Sequence, residues 1–288
     1  MPKSVDWSRA FKFSGSEKYF NISVIWIFYY KYAIRLFYYL HLHPHLILFS
    51  SIISGIISAV FIWQSKLILA AVFLHLKDVF DACDGSVARL TGRTSIFGRF
   101  MDSLGDMFVL TLVIAAITIK SFQSTGNNWI FLSGVFTWFS LFLQCSYFNY
   151  YNLRYSRSLQ KDNLDSNINE KKAAQDNSGE NPFVRLLRFK YNLLYGWQDR
   201  MIESVDKLTR AALTGLPAFD PDKYYRHKTF LTLNSALCFG THIFIFILCL
   251  LFGNPALALL IISVIFNIYF LAVIAGRYLY FKAQAKTN

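Results

Sequence analysis

Cysteine is scarce in this chain and forms no pattern. Cys83, Cys145, Cys238 and Cys249 are the only four in 288 residues, and no two stand in a CxxC spacing. That excludes a disulfide scaffold or a cysteine-ligated zinc module and leaves reduced, space-filling residues. Acidic residues are also few, 17 against 29 lysines and arginines, for a formal net charge of +12. No internal repeat is visible, which speaks against an inverted-repeat transporter. The polar first twenty or so residues show neither the apolar core nor the cleavage site of a signal peptide.

What the chain has in excess is apolar sequence. It is 55% hydrophobic and 18% aromatic, with a mean hydropathy of +0.35. That is too apolar for a soluble domain, and several runs approach the roughly 20 residues that cross a bilayer. The basic residues cluster outside those runs, which suits an anionic lipid surface better than nucleic acid. The expected fold is all-α and integral to the membrane, with six transmembrane helices and an N-terminal interfacial amphipathic helix.

Residues 1–43 read as a cytoplasmic N-terminal segment. Within it, residues 19–40 are apolar but interrupted by Lys31 and Arg35 on one helical face. This predicts an interfacial helix, with a tilted extra span as the alternative. Residues 44–158 hold the first four spans, at 46–63, 67–90, 95–119 and 129–151. The turn at 91–94 is short enough to make the second and third spans antiparallel neighbours. His41, His43 and His45 alternate around Pro44 and read as interfacial histidines at a turn, in preference to a metal tract. Tyr147, Tyr150, Tyr151 and Tyr155 crowd the end of the fourth span, where an aromatic belt would lie.

Residues 159–227 comprise a polar linker up to Asn181 and then an amphipathic surface helix. In that helix Phe183, Leu186, Leu187, Leu194, Trp197, Met201, Val205 and Leu208 recur near helical spacing. Residues 228–288 supply the last two spans, at 230–252 and 256–279, and a cytoplasmic C-terminal end. With both termini cytoplasmic, only Lys66 and Lys120 of the 29 basic residues fall at external loops. Such a bias places the site described next on the cytoplasmic side.

The stretch DACDGSVARLTGRTSIFGRFMDSLGD carries Asp81, Asp84, Asp102 and Asp106. Spacings of three and four put each pair on one helix face, and the short turn brings both pairs to one depth. Carboxylates in membrane segments mark functional sites, and four together repel unless a cation holds them. Ligands offering only oxygen select Mg²⁺ or Mn²⁺ over zinc or copper. Gly85, Ala88 and Gly98 leave room beside them, and Arg89 offers a planar fork for phosphate. Asp78 stands one turn before Asp81 and is expected to pair with Lys77. The carboxylates by themselves also admit a divalent-cation transporter.

The pattern D-x2-D-G-x2-A-R-x8-G-x3-D-x3-D resembles the signature of the CDP-alcohol phosphotransferases. Asp81, Asp84, Gly85, Ala88, Arg89, Gly98, Asp102 and Asp106 fill all eight of its positions. A transporter would not explain the matching glycines, alanine and arginine. The resemblance implies an enzyme of phospholipid synthesis, moving a phosphatidyl-type group from CDP-diacylglycerol to a polar alcohol and releasing CMP. Relatives with the same motif transfer from CDP-choline or CDP-ethanolamine to diacylglycerol, and that alternative stays open.

The resemblance further implies two Mg²⁺ or Mn²⁺ ions held by Asp81, Asp84, Asp102 and Asp106, with Asp106 also the general base. Gly85, Ala88, Arg89 and Gly98 would line the CDP-alcohol, joined by Ser95, whose alternative role is to cap the third span. Pro44-His45 departs from the Pro-Asn pair common at that place in the family. Arg154 and Arg157 follow the fourth span and would hold the phosphate of a phosphorylated acceptor; the alternative is anchoring to anionic lipid. The implied partners are the CDP-lipid, the alcohol, membrane lipid and a second copy in a homodimer, with no nucleic acid. The implied location is multi-pass, in a bacterial cell membrane in preference to an organellar one.

Overall fold

A computed structural model describes residues 5–11, 18–26, 28–160, 182–214 and 219–287, and among them there are helices and turns but no strand. Most of the expected polar linker, residues 161–181, lies outside the described residues. Among the described residues, five helices are long and apolar enough to cross a membrane: Pro44–Trp63, Ile96–Thr125, Trp129–Leu159, Lys228–Leu251 and Pro255–Ala285. The helix expected as the second span, Leu67–Thr91, has the length, 25 residues, but carries Lys77, Asp78, Asp81, Asp84 and Arg89. The chain divides into two compact units.

The first unit takes in Met1–Lys18, Ser23–Trp138 and Gly240–Ile261. Its centre is α2 (Pro44–Trp63), α3 (Leu67–Thr91) and α4 (Ile96–Thr125), with α1 (Tyr30–Tyr39) and a 3₁₀ turn (Trp7–Ala10) packed on α3. Proline is tolerated in the first turn of a helix, so Pro44 opens α2 instead of preceding it. The middle of the buried face of α2 is small, Ser51, Ser54, Gly55 and Ser58, with Ile47, Leu48 and Ile62 buried toward its ends. Ser51 Oγ donates to the Lys77 carbonyl at 3.1 Å and Ser58 Oγ to the Ala70 carbonyl at 2.8 Å. Against α4 the contact is made through glycine. A Cβ on Gly55 would overlap Val109, and one on Gly105 would meet Ile52 Cδ1 at 2.5 Å. Two glycines, one on each helix, therefore set how near α2 comes to α4.

The N-terminal helix is shorter than its apolar sequence predicts. Residues Ile22–Ile25 form a 3₁₀ turn, and the α-helix begins only at Tyr30. Local tertiary contacts override helix continuation there. The Trp26 ring stacks on Phe244 at 4.5 Å, and α1 buries Ile34 in a core with Ile47, Val79, Cys83 and Val87.

The second unit takes in Tyr19–Ile22, Phe139–Phe239 and Ile262–Asn288. It contains the latter part of α5 (Trp129–Gln160), then α6 (Pro182–Thr214), α7 (Pro221–Arg226), α8 (Lys228–Ser235) and α11 (Phe266–Thr287). The remaining elements, α9 (Phe239–Leu251) and α10 (Pro255–Leu260), lie almost wholly in the first unit. Both late spans are interrupted. A turn at 236–238 separates α8 from α9, and a π-helical segment, Ile261–Ile265, separates α10 from α11.

Helix α6 is docked on its polar side. Ser146 Oγ donates to Gln198 at 2.5 Å, and buried Asp206 accepts from Tyr150, Tyr151 and Tyr225 at 2.9, 2.9 and 2.7 Å. Arg210 pairs with the same carboxylate at 2.9 Å. Burial and the bond to Asp206 both push the Tyr225 phenol upward from its usual range. Leu186, Phe189, Met201 and Leu208 are exposed. Tyr147, Tyr151 and Tyr155 are buried within this unit rather than arrayed as a belt.

Candidate active site

The site is built on the α3–α4 hairpin. Gly92, at φ +66°, takes the left-handed conformation that ends α3. Ser95 then caps α4, its hydroxyl accepting from the Gly98 N–H at 2.9 Å. The connection is short, so the motif halves face each other across antiparallel helices. One oxygen each from Asp81, Asp102 and Asp106 lies within 4.8 Å of the others. All three residues are half-buried. Three hard oxygen donors at this spacing fit a divalent cation of the Mg²⁺ or Mn²⁺ type.

Asp84 stands outside that trio, its Oδ1 taking the N–H of Gly85. Arg89, expected to present its fork to phosphate, is turned to the chain's own N-terminal segment. It donates to the Ala10 carbonyl from Nη2 at 2.8 Å and from Nε at 3.2 Å, and to Ser86 Oγ at 3.1 Å. A Cβ on Gly85 would come 3.4 Å from Arg89 Nη1 and touch little else, so the space there borders the guanidinium. Ala88 is half-buried, and its carbonyl accepts the Arg93 N–H at 2.9 Å where α3 ends. Gly98 faces the Ser95 hydroxyl and the His45 ring, which a Cβ would meet at 3.0 and 3.5 Å.

Two residues have more to do with the site than their sequence context conveys. His45 sits where the family commonly has asparagine, and its Nε2 is 3.0 Å from Ser95 Oγ. The Pro44-His45 departure was the available signal. The other is Lys77. It is 1% exposed, and its ammonium is shared by Asp81, at 3.0 Å, and Asp106. The i,i+4 spacing of Lys77 and Asp81 announces that contact, although Asp78, its chain neighbour, is the partner expected from sequence. Asp78 is 3% exposed, and its Oδ2 has no hydrogen-bond partner among the described residues.

Arg154 and Arg157 belong to the second unit. The Arg154 guanidinium lies over the rings of Tyr150 and Tyr225, 5.1 and 5.6 Å from their centroids. Arg157 is half-buried one turn further on.

Comparison with known proteins agrees with the hairpin. The family model for CDP-alcohol phosphatidyltransferase matches residues 41–169. A curated relative is the CDP-diacylglycerol--serine O-phosphatidyltransferase of Helicobacter pylori (strain J99 / ATCC 700824), 35% identical over 79 residues. That match covers 27% of this chain and 33% of the relative, so the chain spans about a third of the relative's length. The eight filled motif positions and the convergence of three of their aspartates fall inside residues 41–169, the segment over which this chain is similar to the CDP-alcohol phosphatidyltransferase family.

Proposed function

We propose that the chain is a membrane transferase that moves a phosphatidyl group from a CDP-activated lipid, CDP-diacylglycerol, to a polar alcohol and releases CMP. The observation that carries this reading is the meeting of Asp81, Asp102 and Asp106 across the α3–α4 hairpin. Asp81, Asp84, Asp102 and Asp106 are the residues that would hold Mg²⁺ or Mn²⁺. When bound, such ions neutralise the diphosphate and stabilise the departing CMP.

The chain's own groups do the rest. The acceptor oxygen attacks the phosphorus that bears the diacylglycerol, the bond from that phosphorus to the CMP oxygen breaks, and CMP departs with the bonding electrons. Asp106 takes the hydroxyl proton on a carboxylate oxygen. Gly85, Ala88 and Gly98 leave room for the nucleotide at the helix backbones, and Ser95 contacts it with the hydroxyl that also caps α4. Arg89 supplies donors to phosphate oxygens, exchanging the Ala10 carbonyl for substrate.

Serine is the first acceptor to test, because the H. pylori relative is named for it. Arg154 and Arg157 support a phosphorylated acceptor instead. The charge distribution supports six spans, with α3 as the second, and an active site on the cytoplasmic side. The resemblance supports a homodimer, and the bacterial relative supports a bacterial cell membrane. The direction of transfer is tested with purified protein given radiolabelled CDP-diacylglycerol plus alcohols, or CDP-choline plus diacylglycerol. CMP release in the first mixture and not the second is expected; the reverse overturns the assignment of donor.

A further inference from the structure

The buried lysine at the carboxylate cluster is not one of the eight signature positions, and nothing in the reaction above uses it. Lys77 lies one turn before Asp81 on α3, so its side chain reaches along the same face. Its ammonium takes Asp81 Oδ1 at 3.0 Å and also Asp106 Oδ1, two of the three carboxylates that come within 4.8 Å of one another. A cation already sits among the oxygens that a divalent ion would use. The same helix also holds a carboxylate with a vacant acceptor. Asp78 is buried, its Oδ2 has no hydrogen-bond partner among the described residues, and its Oδ1 lies 3.5 Å from where a Cβ on Gly240 would stand.

We infer that Lys77 is a tethered monovalent cation that competes with the divalent ions for Asp81 and Asp106, with Asp78 as the counter-charge for its ammonium once metal has entered. This rests on the metal-dependent reading of the site given above. Without metal, the ammonium cancels part of the repulsion among the three carboxylates and keeps the α3–α4 hairpin assembled. Metal entry then displaces it from two oxygens, which weakens apparent metal affinity. Removing the ammonium removes the competitor. A positive charge a few ångströms from the ion is worth more than one factor of ten in affinity at the effective dielectric of a protein site, so neutral variants should bind at least about tenfold tighter.

The experiment is equilibrium binding of Mn²⁺ to the purified full chain in detergent, followed by the electron paramagnetic resonance of free Mn²⁺. K77M and K77Q should bind Mn²⁺ at least about tenfold tighter than wild type, while K77R stays near wild type. D78N should weaken binding several-fold in the wild-type background and leave the affinity of K77M unchanged, because the ammonium it serves is gone. The neutral variants should also unfold more easily without Mn²⁺ and recover with it, since metal replaces the missing charge. D81N and D102N act as controls for the metal site itself. Loss of Mn²⁺ binding in those two, with K77M and K77Q unchanged or weaker, overturns the role of Lys77 and leaves the metal site standing. Failure of both neutral variants to fold at any Mn²⁺ concentration also overturns it, since metal would then not substitute for the lysine. Absence of Mn²⁺ binding to wild type, K77M and K77Q alike overturns the metal reading and this inference together.

Discussion

Replacing Gly55 by alanine should loosen the α2–α4 contact that positions Asp106. A Cβ at residue 55 would overlap Val109 Cγ1, lie 2.8 Å from Cγ2 and reach 3.1 Å from Cβ. Carbon atoms pack best at about 3.5–4.0 Å, so either Val109 turns or the helices part by roughly 1 Å. Turning is unfavourable because a β-branched side chain in a helix has one strongly preferred rotamer. Val109 is also fully buried. Overpacking of this kind destabilises by about 1–3 kcal/mol. Asp106 is three residues from Val109 on α4, so parting the helices also shifts its carboxylate relative to Asp81. The measurement is an unfolding midpoint in an SDS titration, paired with Mn²⁺ affinity, for G55A, V109A and the double variant. G55A should lose stability and bind Mn²⁺ more weakly, and V109A should restore part of both, with a coupling of about 1 kcal/mol. Wild-type stability in G55A, or strictly additive losses in the double variant, would refute the close-approach argument.

Asp106→Asn keeps the shape but removes the proton acceptor, so turnover should fall by about 10²–10⁴-fold while the protein stays folded; wild-type turnover would remove Asp106 from the role of base. Along α6, Leu208 and Lys207 are both exposed, yet only Leu208 shares the apolar face with Met201. With the four native cysteines all buried, a water-soluble thiol reagent should label Lys207→Cys and spare Leu208→Cys in membranes. Equal labelling would mean that face meets water. Arg154→Ala and Arg157→Ala should raise the apparent KM of a phosphorylated acceptor and leave that of the CDP-lipid unchanged. If serine is the best acceptor and both variants match wild type, these arginines have no acceptor role.

The hairpin was legible because its information is local. Two pairs of aspartates at helical spacing, a short turn and a capping serine leave little freedom in how α3 meets α4. Asp81, Asp102 and Asp106 accordingly converge. What was hidden depends on contacts remote in sequence. The break at 236–238 has the sequence Ala-Leu-Cys, with no glycine or proline to announce it. The π-helical segment, Ile261–Ile265, occurs inside an apolar stretch whose serine, Ser263, does not by itself announce a change of winding. Near it, Asn267 donates to the Ser263 carbonyl at 2.8 Å and to Ser140 Oγ at 2.7 Å, while accepting from Gln144 at 2.9 Å. Apolar composition reports that such a stretch is buried or membrane-facing, not where its backbone changes winding. Asp206 shows the same limit. In sequence it is one acid on an amphipathic helix; in the fold it gathers three tyrosine hydroxyls from α5 and α7.

The central claim, that the hairpin aspartates carry out transfer from a CDP-lipid, is tested most directly by CMP release. Purified chain would be given CDP-diacylglycerol, Mn²⁺ and each of serine, glycerol phosphate and inositol phosphate, alongside Asp81→Asn and Asp102→Asn. CMP should form with at least one alcohol, cease when the metal is chelated, and require far more Mn²⁺ in both variants. An Mn²⁺ titration unchanged in Asp81→Asn and Asp102→Asn, or no CMP from wild type with any alcohol, would contradict it.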